Sequence, residues 1–193
     1  MEDVLLWKSF KKGDRVAFEA LFNKNYKGLY QYGFKLIQNH QLIDDGIQDL
    51  FFELWTGKEN LPDVQSVRGY LFRGLRYKLF RQAQKKSRYD VLSEDYVSYW
   101  ETSYESLLID EERDRALHQQ LSHFLQQLSP RQREAITLRF TNQMSYEEIS
   151  DVMSISYQAV VNLVYKSLKY LRENMVSLPG IFLVLSFFQT LLK

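Results

Sequence analysis

The stretch 141–173, TNQMSYEEISDVMSISYQAVVNLVYKSLKYLRE, decides how this chain reads. Ser145 stands where a helix N-cap belongs, and Glu148 follows three residues later. That spacing predicts a capping box, in which hydroxyl and carboxylate each accept from one otherwise unsatisfied backbone N–H. Ile149, Val152 and Met153 give a short helix its apolar face. Ser154-Ile155-Ser156 interrupts the pattern, and Ser156 is placed to cap a second helix. Val160, Val164, Leu168 and Leu171 then recur on one helical face. The other face carries Gln158, Asn162, Tyr165, Lys166 and Lys169. One side packs, while the other offers amides to base edges and cations to phosphates, so the pattern fits a helix-turn-helix. An amphipathic helix pair inside a core fits it too, and the rest of the chain must weigh between them.

With 193 residues, the chain has room for one large domain or two small ones. Its 25 Lys and Arg nearly balance 24 Asp and Glu, so any nucleic-acid site must come from local charge segregation. The absence of cysteine excludes disulfides and thiolate metal sites and agrees with a reducing cytoplasm. The opening MEDVLLWKSFKKGD lacks the long apolar run of a secretory signal. Glycine and proline are scarce and apolar spacing is helical, which predicts an all-α fold. His40, His118 and His123 lack ligand spacing, and no glycine-rich phosphate loop is present. Neither an enzyme, a cofactor nor a small-molecule substrate is therefore expected.

In chain order, residues 3–10 predict a short helix stopped at Lys11-Lys12-Gly13, and Asp14 caps the next. That second helix carries Phe18, Leu21, Phe22 and Tyr26 on one stripe, with room for a break at Gly28 and a turn at Asn39-His40. LIDDGIQDLFFELWTG follows, with Asp44 and Asp45 expected in the first turn, where the helix dipole favours anions. Asp45, Gln48, Asp49 and Phe52 lie off its apolar face, which reads either as a solvated surface or as a docking face for a helical partner. Residues 64–89 hold eight cations and no acid, with Tyr70, Phe72, Tyr77 and Phe80 interleaved. Cations hold phosphates and exposed aromatics stack on unpaired bases, whereas core packing of the rings and solvation of the cations is the plainer alternative. Residues 90–114 invert the charge, with nine acids and one Arg, and read as an extended linker ending in a helix near Ser106. RALHQQLSHFLQQL follows, then a helix started by Ser129-Pro130. The apolar tail, 176–193, is too short to span a bilayer alone; it reads as a helix on the core, a partner patch or an interfacial contact.

Taken in this order, these segments resemble the extracytoplasmic-function sigma factors, the compact two-domain members of the sigma family, over roughly residues 10–174. The resemblance implies two small helical domains joined by an acidic linker: 1–89, a linker at 90–114, a helix-turn-helix domain at 115–175, and the tail. It implies core RNA polymerase and promoter DNA as partners, with room for an anti-sigma protein. DDGIQDLFFELW resembles the segment that docks on polymerase, with Asp45, Gln48 and Asp49 facing it while Phe51 and Trp55 pack. SVRGYLFRGLRYKLFRQ resembles the segment that opens the −10 element, placing Arg68, Tyr70, Arg73, Arg76 and Lys78 near the melted strand. LSPRQREAITLRF and the helix-turn-helix resemble the −35 reader, placing Arg131, Arg133, Ser156, Tyr157, Gln158, Ala159, Val161, Asn162, Tyr165 and Lys166 at duplex DNA. Two departures stand out. Val161-Asn162-Leu163 replaces the common Lys-Ser-Arg, which leaves reading to Gln158 and Asn162 and suits an A/T-rich −35 element. Gly74 and Tyr77 replace an apolar residue and Asn. A stand-alone helix-turn-helix regulator and a helical adaptor or RNA-binding protein are the rival readings.

Overall fold

The computed structural model describes residues 2–89, 121 and 123–174. The expected linker at 90–114, the helix near Ser106 and the tail at 176–193 lie outside the described residues. Every regular element described is helical. The chain divides into two compact units, Met1–Ser93 with Glu147–Ile155 and Glu94–Tyr146 with Ser156–Lys193.

In the first unit, α1 (Glu2–Lys11) ends at Gly13, whose φ of 93° suits glycine. Asp14 then caps α2 (Arg15–Ile37), its carboxylate accepting from Val16 N at 2.9 Å and Ala17 N at 3.2 Å. The helix runs unbroken through Gly28, where the sequence left room for a break. Asn39 caps α3 (His40–Thr56) by accepting from Leu42 N at 3.0 Å. Because this cap lies earlier in the chain than the acids suggested, Asp44 and Asp45 fall beyond the first turn. Asp44 instead accepts from the Tyr26 hydroxyl at 2.9 Å, and that bond raises the phenol pKa.

The last helix of this group is α4 (Val67–Tyr89). The Ser66 hydroxyl accepts from Gly69 N at 3.0 Å, and it donates to the Glu148 carboxylate at 2.5 Å. Leu71, Phe72, Leu75 and Leu79 are wholly buried, together with Ile43 and Ile47 of α3 and Leu29 of α2. Removing each such side chain from water contributes roughly 1.5–3 kcal/mol before entropy is charged against it. The α3–α4 approach is close because each helix offers a glycine to the other's leucines. A Cβ on Gly46 would come within 3.0 Å of Leu79, and one on Gly74 within 2.7 Å of Leu50. The departure at Gly74 is thus answered by Leu50, which occupies the space.

In the second unit, Ser129 caps α5 (Pro130–Ile136) in a full capping box with Gln132. The helix widens into a π turn over Thr137–Thr141. Helix α7 (Tyr157–Asn174) packs on α5, and Ala135, Leu138, Met144, Val160 and Val164 form the core between them. In chain order between them comes α6 (Tyr146–Met153), whose residues from Glu147 onward belong to the first unit and which buries Ile149, Val152 and Met153.

Candidate nucleic-acid interface

The link between α6 and α7 is a tight turn. Ser154 adopts φ 53°, a conformation uncommon outside glycine. Two bonds hold it: Ile155 N donates to Ser150 O at 3.1 Å, and Ser150 Oγ donates to Ile155 O at 2.6 Å. Ser156 Oγ then accepts from Ala159 N at 3.2 Å, which starts α7 as expected. Val160, Val164, Ser167 and Leu171 face inward. Ser156, Tyr157, Gln158, Asn162, Tyr165 and Lys166 are exposed, and Ala159 and Val161 are half-buried beside them. Gln158 Nε2 donates to Asn162 Oδ1 at 3.2 Å, so the two amides form one polar ridge. Tyr157 stacks edge-on against Tyr146, whose other neighbour is the Arg139 guanidinium, 5.1 Å from the ring centre.

The two arginines expected to flank this face separate. Arg131 is exposed. Arg133 is buried, only 5 % of its surface remaining open, and its Nη1 donates to Gln126 O at 3.0 Å. Burial lowers its pKa. A guanidinium spent on a carbonyl inside the unit does not reach phosphate, so Arg133 is corrected from a DNA contact to a support of the fold.

The basic block of α4 also sorts itself. Arg73 is exposed. Arg76 lies over the Phe80 ring at 4.6 Å, and Arg68 over Phe72 at 5.4 Å, where burial lowers the Arg68 pKa. Lys78 is largely covered and bonded to Glu53 of α3 at 2.6 Å, so it ties two helices instead of standing open to a strand. Tyr70 packs edge-on against Trp7 at 5.2 Å, inside an aromatic cluster with Phe10. The exposed rings are Tyr77 and Phe80, 66 % and 40 % open. The sequence placed all four aromatics in one block; only the register against Leu71, Leu75 and Leu79 separates them.

On α3, Asp45, Gln48 and Asp49 are exposed on one face, and Phe52 continues the stripe at 68 % exposure. Phe51 is buried and Trp55 half-buried. Beside Gln48 and Phe52 an open groove of about 570 Å³ is walled by Phe18, Phe22, Phe51 and Trp55. Sequence reading named the polar part of this surface but not the groove, because α2 supplies half of its wall. None of the described helices is long and apolar enough to cross a membrane.

Known proteins align with this arrangement. The Sigma-70, region 4 family matches residues 118–171, which include α5 to α7. The chain is 22 % identical to the ECF RNA polymerase sigma factor SigW of Bacillus subtilis over 175 residues, covering 87 % of this chain and 94 % of that protein. It is 25 % identical to the RNA polymerase sigma factor CarQ of Myxococcus xanthus, over 85 % of this chain and 92 % of that one. In fold it is similar to CnrH, solved in complex with the cytosolic domain of CnrY, at TM-score 0.62 and 19 % identity, covering 91 % of this chain and 97 % of that one. RpoE of Bartonella quintana, solved with the anti-sigma factor NepR, gives TM-score 0.60 at 22 % identity, over 81 % and 94 %. A turn beside an exposed amide ridge, a basic helix packed on an acid-faced one, and likeness along most of the chain lead to one conclusion: this chain is similar to sigma factors of the extracytoplasmic-function type, and its residues 118–171 match their region 4.

Proposed function

We propose that the chain binds core RNA polymerase in the cytoplasm and directs it to promoters, with α7 reading the −35 element and α4 holding the opened −10 strand. The observation that carries this reading is the sidedness of α7. Gln158, Asn162, Tyr165 and Lys166 are exposed while Val160 and Val164 are buried. A helix that buries one face and presents paired amides on the other suits a major groove. Gln158 and Asn162 favour adenine, and Ala159 and Val161 sit beside them for thymine methyls. Ser156, Tyr157, Lys166 and Arg131 hold the flanking phosphates.

Asp45, Gln48, Asp49 and Phe52 form the polymerase-facing stripe on α3, and the adjoining aromatic groove takes an apolar side chain from a partner helix. Arg73 and Arg76 hold the displaced strand by its phosphates. Opening needs no covalent step, since bases held by the protein offset the few kcal/mol lost on unstacking. Joining two DNA-reading parts in one chain makes the second contact intramolecular, which raises its effective concentration. Both solved relatives were captured with another protein, CnrY or the anti-sigma factor NepR. This supports an inhibitory protein partner for the present chain.

The test is co-elution of the chain with core polymerase, followed by footprinting with and without polymerase. The proposal expects a stable complex and a footprint only when polymerase is present. A footprint from the chain alone supports a stand-alone regulator, and tight RNA binding without polymerase association supports an adaptor.

A further inference from the structure

We infer that the contact of Ser66 with Glu148 is an autoinhibitory latch, which parks the first helix of the helix-turn-helix on the start of the basic helix and has to open before the chain works. This rests on the reading of α4 at the −10 element and of α6 with α7 at the −35 element, and it adds a regulation to that reading.

The inference starts from one hydroxyl with two duties. Ser66 Oγ accepts from Gly69 N at 3.0 Å and so caps α4. It donates its own proton to the Glu148 carboxylate, 82 positions later in the chain. Capping needs only the acceptor half of this arrangement, as Ser156 Oγ shows by accepting from Ala159 N at the start of α7. The donated bond is therefore an addition that joins α6 to α4. It brings the carboxylate to the first turn of α4, where unsatisfied N–H groups and the helix dipole favour an anion. The approach is close because position 69 has no side chain. A Cβ on Gly69 would lie 3.9 Å from Glu148 Cβ. The charge of Glu148 also reaches Arg68: burial lowers that guanidinium's pKa, and Glu148 acts against the lowering. A hydroxyl, a helix N-terminus and a cation thus converge on one carboxylate, and α6 from Glu147 onward belongs to the first unit.

Distance assigns this contact to a resting state. The positions of the two elements set them about 25 base pairs apart, roughly 85 Å of duplex at about 3.4 Å per step. Helix α6 is tied to α7 by the turn at 154–156, so it goes where α7 goes. Glu148 cannot stay within hydrogen-bond reach of Ser66 while α4 holds one element and α7 the other. Every productive complex has to break the contact first. The latch therefore weakens apparent promoter affinity by the fraction of chains it holds closed.

The experiment uses the full chain with core polymerase and reads promoter-directed transcription. The chain has no cysteine, so an introduced pair is the only one. Gly69→Cys with Glu148→Cys sets two Cβ atoms 3.9 Å apart, within disulfide range. Oxidation is expected to form the disulfide and abolish promoter-directed transcription, and reduction to restore it. Each single-cysteine variant should be indifferent to oxidant. Ser66→Asp keeps a capping side chain and sets a like charge against Glu148. It is expected to raise transcription at limiting polymerase about tenfold, the scale of one charged hydrogen bond, and adding Glu148→Lys should reverse the gain. Failure of the disulfide to form, an oxidised pair as active as the reduced one, or Ser66→Asp no more active than the unaltered chain overturns the latch and leaves the sigma reading standing. An unaltered chain that gives no promoter-directed transcription overturns that reading and the latch with it.

Discussion

Gln158 Nε2 donates to Asn162 Oδ1 across 3.2 Å, one turn apart on the exposed face of α7. The bond uses one donor of Gln158 and one lone pair of Asn162, leaving each amide with groups to offer a base edge. Gln158→Ala and Asn162→Ala are each expected to remove about 1–3 kcal/mol of discrimination at the −35 element. Because each orients the other, the double variant should lose less than the sum. Binding of holoenzyme to a panel of single-base −35 variants measures both effects. Additive losses would show that the amides act independently.

Arg131 and Arg133 are two residues apart yet face different surroundings. Arg133→Ala removes the donor to Gln126 O from a buried site. It is expected to lower stability by roughly 1.5–3 kcal/mol, the scale of a charged hydrogen bond, in chemical denaturation. Arg131→Ala should leave stability unchanged. It should instead reduce the salt dependence of DNA binding by about one released counterion.

Gly74 and Leu50 form a size-matched pair. A Cβ on Gly74 meets only the far end of Leu50, 2.7 Å away, so Gly74→Ala is expected to be nearly neutral. The helix propensity gained, roughly 1 kcal/mol, offsets the small shift of Leu50. Gly74→Ile has no such room and should cost about 1–3 kcal/mol. Adding Leu50→Ala to Gly74→Ile should restore part of that loss in thermal unfolding. No recovery would mean that the close approach of α3 and α4 has another cause.

Phe52 continues the stripe of Asp45, Gln48 and Asp49 at the edge of the aromatic groove. Its ring is 68 % exposed, so Phe52→Asp should fold normally. It should weaken association with core polymerase by at least about 2 kcal/mol, as expected of an aromatic anchor, measured by competition with the unaltered chain. Full affinity in this variant would place the docking surface elsewhere.

Much of the fold was legible because its signals are local. Asp14, Ser129 and Ser156 are caps recognisable from type and position, and all three accept from the next turn. The leucine stripe of α4 follows from period alone. What escaped depends on partners distant in sequence. Asn39 starts α3 earlier than the acids suggested, and Asp44 serves Tyr26 instead of the helix dipole. Lys78 and Arg133 look like the other cations around them until Glu53 and the Gln126 carbonyl are beside them. Tyr70 resembles Tyr77 in a list of aromatics, and only Trp7, 63 positions earlier, tells them apart. The amide ridge of α7 was readable because both its residues and its buried counterpart lie within a few turns of one helix.

The most direct measurement is run-off transcription by core polymerase supplied with this chain, on a pool of promoter fragments, with start sites mapped. The account predicts starts at one defined class of site, lost when Gln158 and Asn162 are both changed to Ala and when Arg73 and Arg76 are. Transcription that is no more selective than that of core polymerase alone would contradict it.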